Sequence, residues 1–363
     1  MKKNSPITVL CRLCSAAAVA ALFAGVAASA KIREIGTPLS IRPITIKNVA
    51  YSADGRIFAV PNFVSAGSVA LFWVSQEGQI ARMPARFSEK SFVRSSGLFF
   101  LRRDRETEPH MAFAALPELL TGYAVDFSES GLQLVIAGGT AAIVYDGADN
   151  WNITRTLTIG TSVSRAVFSP DGSKLAVIAD GKIYLFSTAA YTLITTIDPV
   201  AGNRFCDAVF ANDNSVIAAC EFRPTLLDYG MRVRVYRSSD GMSDRDLPYL
   251  PFKPSSEPGS HLPLLSYSPG DSLLAVTIPT SFTGKILLIK SNDGTPMREF
   301  KGFCHAFSPD GTLFAADNKV YATRDWSVLG TLPRSSVACA FSPTERAILV
   351  VTQESIRRFR IEE

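Results

Sequence analysis

The feature that most constrains this chain is a phrase it repeats. Ala166-Val167-Phe168-Ser169-Pro170-Asp171-Gly172 is followed by the apolar run Leu175–Ile178, and His305-Ala306-Phe307-Ser308-Pro309-Asp310-Gly311 by Leu313–Ala315. Weaker copies end on Tyr51, Phe127, Phe210, Tyr267 and Phe341. Ser-Pro-Asp-Gly suits a type I turn, with Ser first, Pro fixing φ at the second position and Gly fourth. Each copy is therefore predicted to be a tight hairpin in which the aromatic ends one strand and the apolar run begins the next. A third strand follows in several copies (Ile183–Phe186, Val233–Tyr236, Ile286–Ile289) and a fourth in some (Thr192–Ile197). Four short strands recurring about every forty residues are the signature of propeller blades.

The aromatic anchors set the blade count. Most steps between them are 34 to 42 residues, the step from Tyr51 to Phe127 is 76, and that from Phe210 to Tyr267 is 57. The 76-residue step has room for a degenerate unit, Ser91-Phe92-Val93 followed by Leu98–Leu101. The spacing thus favours eight blades over seven in a single all-β propeller. The last unit stops after its third strand, near Ile356–Phe359. The alternating segment Leu39–Ile46 is the expected fourth strand, closing the ring from the N-terminal side. Its Pro43 suits an outermost edge.

The phrase resembles the WD40-like repeats of bacterial exported propellers, among them the TolB type and the YncE or lactonase-like type, over nearly all of residues 49–359. The repeats depart from that pattern in two ways. Phe186-Ser187 and Tyr236-Arg237 stand where a Trp-Asp pair would end the third strand, and no unit has the Gly-His pair. The resemblance implies the fold and leaves the function open, since propellers host binding and catalysis alike.

Residues 1–30 have the form of a signal peptide: Lys2 and Lys3, a small apolar core from Ala16 to Ala28, then Ala28-Ser29-Ala30 as the small-x-small cleavage pattern. The expected mature chain is the propeller domain 31–363, periplasmic or secreted, with no membrane insertion after cleavage and monomeric. The whole chain has 37 basic and 33 acidic residues, and the first thirty hold Lys2, Lys3 and Arg12 and no acid, so the mature balance is 34 − 33 = +1. That near-neutral body argues against nucleic-acid binding, which needs a basic stripe.

Motifs for chemistry are sparse. The three histidines are His110, His261 and His305, and there is no HExxH, GxSxG or P-loop. No cofactor and no metal site is expected: Asp54, Asp171 and Asp310 are explained by their turns, and Trp73, Trp151 and Trp326 fall at unrelated phases of the repeat. Cys206 and Cys220 flank one hairpin turn and form a candidate disulfide, whose sulfurs meet or diverge with a one-residue change of register. Cys304 and Cys339, on adjacent inner strands, are expected to stay buried thiols.

What remains is a surface. The loops joining strand two to three, and strand four to the next blade, share one rim. Here they are long and carry aromatics or charge: Phe63; Arg103 and Arg105; Phe222, Arg223 and Tyr229; Tyr249, Phe252 and His261; Phe282. Aromatics and Arg are enriched at binding hot spots. The sequence thus favours a non-enzymatic module that holds a protein or peptide partner on this rim. The alternative is a lactonase-like or lyase-like enzyme acting at the central channel, for which His305, Asp207 and Asp126 are the inner-strand candidates. A quinoprotein would need repeated calcium ligands that are missing.

Overall fold

A computed structural model describes residues 31–40, 48–61, 69–75, 79–82, 112–113, 124–149, 151–160, 162–222, 231–248, 264–278, 284–316, 318–334 and 336–362. Among these residues the chain forms seven antiparallel sheets. Their innermost strands are Ala50–Tyr51, Ala124–Phe127, Val163–Phe168, Arg204–Phe210, Leu264–Tyr267, His305–Phe307 and Ser336–Phe341, which begin blades 1 to 7. In blades 2 to 6 four consecutive strands follow one another outward. Blade 1 carries an additional short strand, Ala112–Phe113, paired with Val69 and Ala70.

The ring closes at seven, which corrects the expected eight. Seven buried apolar clusters each join two neighbouring blades. One packs Ile57 and Leu71 of blade 1 on Val125 and Leu134 of blade 2, so these two blades touch directly. Another packs Phe58 and Phe72 of blade 1 on Leu349 and Val351 of blade 7. Blade 1 thus has both neighbours in place, and no slot is left for another blade. The unit expected at Ser91–Leu101 lies outside the described residues. Spacing alone misled because a long connection and a worn repeat occupy the same length of sequence.

Each second strand is buried on both faces, because a blade is sandwiched between two others. Ile57–Pro61 and Ala347–Thr352 are buried at every position. This is why the second strands are continuous apolar runs instead of alternating ones. Fully burying one such side chain is worth about 1.5–3 kcal/mol. Opposite the residue that precedes the anchor aromatic stands Ala59, Ala176, Ala218, Ala275 or Ala315 in five blades, each with no exposed surface. Blades converge toward the axis, and close-packed interiors accept only small residues there.

Blade 7 is completed by the N-terminal strand Lys31–Ser40, hydrogen-bonded antiparallel to Ser355–Glu362. Closure by an N-terminal strand is as expected, but the strand lies eight residues upstream of Leu39–Ile46. Residues 41–47, including Pro43, lie outside the described residues. Instead Pro38 and Gly36, the latter with φ 76°, fall in the register shift between Ile35 and Leu39, where the outermost strand needs no ladder bond. Ile32 packs into the seam with blade 6 and Leu39 into the seam with blade 1, so the closing strand serves both its neighbours.

Candidate functional site

Antiparallel blades put the turns between first and second strands, and between third and fourth, at one rim. The remaining connections fall at the other. The first rim is uniform. All seven turns between first and second strands are five residues long, from 52–56 in blade 1 to 342–346 in blade 7. In blade 3 Gly172 N–H donates to Ser169 O at 2.8 Å with φ 69° at the glycine. The Ser169 hydroxyl donates to Asp171 at 2.6 Å and accepts from Lys174 N–H at 2.8 Å. Asp171 in turn accepts from Ser173 N–H at 2.9 Å. Burial alone would raise the Asp171 carboxyl, but these hydrogen bonds hold it below its ordinary range. Ser52–Asp54 and Ser308–Asp310 repeat the arrangement. The regular acids are thus turn residues, as their spacing predicts.

The turns between third and fourth strands revise one expectation. Trp151 and Trp326 share a phase after all, and Tyr191 shares it too. Each is a left-handed residue at the entry to the fourth strand, with φ 59°, 62° and 53°; Trp151 and Tyr191 directly precede it and Trp326 stands two residues before it. That conformation is unusual for a bulky residue. Each side chain packs at the seam with the preceding blade. Trp326 lies 5.8 Å from the Phe300 ring of blade 5, and the Tyr191 hydroxyl meets Gln133 of blade 2 at 3.1 Å. Trp151 joins the cluster between blades 1 and 2. These rings are seam plugs. Trp73 stands apart, on a third strand opposite Ile57.

The opposite rim is irregular. Connections between second and third strands are two residues long in blades 2, 3, 6 and 7. In blades 1, 4 and 5 they are 62–68, 223–230 and 279–284. Segment 247–263 joins blade 4 to blade 5, whereas 302–304 suffices between blades 5 and 6. Three of the long segments therefore leave one arc, blades 4 and 5, which also holds seven of the ten candidate rim residues. Of those ten, Phe222 is described: it ends a second strand, is half-buried, and packs against the core between blades 4 and 5. Phe63, Arg103, Arg105, Arg223, Tyr229, Tyr249, Phe252, His261 and Phe282 lie outside the described residues. Beneath this arc Glu221, fully buried, accepts from Val200 N–H and Asn203 Nδ2, each at 3.1 Å. Arg234 lies 3.5 Å from Glu221 and 2.5 Å from Asp246.

The inner strands are clasped to one another by polar side chains. Asn48 Nδ2 donates to Val125 O at 2.7 Å, Phe168 N–H to Asp126 at 2.8 Å, and Leu265 N–H to Asp207 at 2.7 Å. Arg165 Nε lies 3.0 Å from Asp207. His305 Nδ1 is 2.6 Å from the Thr277 hydroxyl, and burial lowers its pKa to about 4, so the ring is neutral at pH 7. Burial also raises Asp126 to about 6, against the pull of the Phe168 N–H and the Arg165 charge. The three inner-strand candidates of the enzyme reading therefore all serve as blade clasps. Among the described residues no group of three or more His, Cys, Asp or Glu side chains could hold a metal ion.

Cys206 sits in a register shift, so Asp207 and not Cys206 pairs with Cys220. The two cysteines are free thiols here, with the Cys206 thiol donating to Cys220 O at 3.1 Å. Neither Cys304 nor Cys339 forms a disulfide, and the Cys304 thiol donates to Ser336 O at 3.6 Å.

These features are those of a WD40-like propeller. A chain of the solved structure described as "Crystal Structure of Mitotic Checkpoint Complex" is similar over 93% of this chain and 94% of its own, with a TM-score of 0.63 and 13% identity. At that identity the likeness shows the fold alone. No family model matches the sequence, and no curated protein matches it.

Proposed function

We propose that this protein is an exported, non-enzymatic interaction module that holds a protein or peptide partner on the irregular rim, centred on blades 4 and 5. The observation that carries the reading is the contrast between rims. Every first-to-second-strand turn has the same length, while segments 223–230, 247–263 and 279–284 depart from the short pattern on one arc. Loops on a rigid scaffold are where binding residues concentrate. Tyr229, Tyr249, Phe252 and Phe282 supply aromatic anchors there, and Arg223 a planar cation. The similar chain belongs to a protein complex, which agrees with a partner-holding role. Export rests on Lys2, Lys3 and the Ala28-Ser29-Ala30 pattern.

The test is chemical crosslinking of the exported protein in its native compartment, comparing wild type with a combined Tyr229→Ala, Phe252→Ala and Phe282→Ala variant. Loss of a discrete crosslinked partner in a variant with unchanged melting supports the reading. An unchanged crosslink pattern sinks the rim assignment. N-terminal sequencing should find Lys31 first, and a retained Met1 would refute processing at Ala30.

A further inference from the structure

Blade 4 is the one blade with a cysteine on each of its first two strands: Cys206 on Arg204–Phe210 and Cys220 on Val216–Phe222. Phe205 pairs with Glu221 and Asp207 with Cys220, so Cys206 is the extra residue of a β-bulge. A regular ladder would turn Cys206 and Asp207 to opposite faces. A bulge instead sets two residues against one on the partner strand, here Cys206 and Asp207 against Cys220. Cys206 and Cys220 accordingly share one buried cluster, between blades 4 and 5.

The two thiols touch. Cys206 Sγ donates to Cys220 O at 3.1 Å. Burial first, and then a hydrogen bond with the Cys206 thiol, push the Cys220 thiol well up from its ordinary pKa. Residues facing each other across antiparallel strands have Cα atoms about 4.5–5.5 Å apart, inside the roughly 4.4–6.8 Å that a disulfide spans. Each cysteine also precedes a carboxylate that ties the blade in place. Asp207 accepts from Leu265 N–H of blade 5, and Glu221 from Val200 N–H in the connection from blade 3. A bond between the sulfurs would hold both carboxylates in register.

We propose that Cys206 and Cys220 are a disulfide-forming pair, closed by a disulfide oxidant as the exported chain folds, and that the bond locks the first hairpin of blade 4 beneath the arc of long loops. The oxidising compartment rests on the export reading, whereas the pairing rests on the bulge. Two thiols lose two protons and two electrons, one S–S bond forms, and the oxidant's own disulfide is reduced to two thiols through a mixed disulfide. Both thiols are buried, so the oxidant reaches them before blade 5 packs against the hairpin or through local opening. Cys304 and Cys339 stand on different blades and serve as internal controls.

Reduced chain 31–363 is unfolded in urea and refolded with reduced and oxidised glutathione at about pH 8, where thiolates are available. It is then alkylated in denaturant and mapped by mass spectrometry. Two of its four thiols should be lost, and the peptides holding Cys206 and Cys220 should appear joined. The bridge closes a 15-residue loop, so the oxidised chain should melt about 4 °C above the same chain kept reduced. That difference should vanish in Cys206→Ser. A second sample, folded first and oxidised without urea, should reach the same bond more slowly. Four free thiols in both samples, a bond to Cys304 or Cys339, or equal melting of oxidised and reduced chain would each overturn the proposal. A pair that closes in vitro but is reduced in protein taken from the cell upholds the pairing and sinks export instead.

Discussion

The two rims of this ring are made by the same strands, yet one repeats and the other does not. On the uniform rim, Ser52, Ser128, Ser169, Ser268, Ser308 and Ser342 are all buried at the first turn position. Blade 4 is the exception, with Ala211 there, and its Asn212 and Asp213 N–H groups donate to the Asp271 carboxylate of blade 5 at 2.8 and 3.0 Å. Turn chemistry thus fixes that rim, and the turn that lacks the hydroxyl is bonded to the neighbouring blade. On the irregular rim, length varies from two residues to the 29 of segment 83–111, while the four-stranded order of the blades is kept. Loop closure costs little per added residue, so such insertions are tolerated thermodynamically. The uniform rim should therefore be where stability is lost on mutation, and the irregular rim where function is.

The sharpest way to break that contrast lies at the end of the ring. Arg358 is fully buried in blade 7, 3.0 Å from Glu345 in the last hairpin turn and against Tyr51 of blade 1. Glu345→Ala strips the carboxylate from a buried cation. Breaking such a pair costs about 3–5 kcal/mol. We expect the lower end, about 3 kcal/mol, because Glu345 is partly exposed, read as a lower midpoint in urea unfolding. A loss below 1 kcal/mol would mean that Tyr51 or water carries the charge of Arg358.

The next effect is electrostatic and sits on the channel between the rims. Asp126 has a folded pKa of about 6, above its unfolded value of 3.8. Its contribution to stability is therefore fully present below pH 4 and is lost as pH rises through 6, since the folded state holds a proton there that the unfolded state has released. The loss should be about 2 kcal/mol after allowing for water in the channel. Asp126→Asn should abolish that slope, so the stability difference between variant and wild type grows from pH 4 to pH 7. A constant difference would show that Asp126 ionises normally. A smaller effect is expected at one turn: Ser169→Ala should cost about 1 kcal/mol by leaving Lys174 N–H and Asp171 less well bonded.

Much of the uniform rim and little of the irregular one was legible in the sequence. Ser-Pro-Asp-Gly names its own turn because each residue satisfies a local requirement, and the apolar runs reveal strands buried on both faces. Ring closure is legible in kind, but the alternation of Leu39–Ile46 points further along the chain than the strand Lys31–Ser40 that pairs with Ser355–Glu362. The blade count was not legible. It is decided by Leu71 meeting Leu134, a contact between residues that no local pattern links. Nor did local pattern reveal the phase of Trp151, Tyr191 and Trp326, since one extra residue in the turn of blade 2 hides the match until φ is known.

The smallest effect is the most telling for function. Replacing residues 249–261 with a flexible Gly/Ser segment of equal length removes Tyr249, Phe252 and His261 and leaves Leu264, where the inner strand of blade 5 begins, in place. If this segment only connects blades, nothing in the clasp between Asp207 and Leu265 changes. Surface substitutions away from packed features stay within about 0.5 kcal/mol, so the midpoint of unfolding should hardly move. The Ser169→Ala variant on the opposite rim should do the reverse, lowering stability while keeping partner crosslinking intact. A loop replacement that unfolds the protein would show that 249–261 is part of the core. One that melts normally and keeps its partner would place binding elsewhere on the ring. Loss of crosslinking at constant stability is the outcome that separates a scaffold rim from a binding rim.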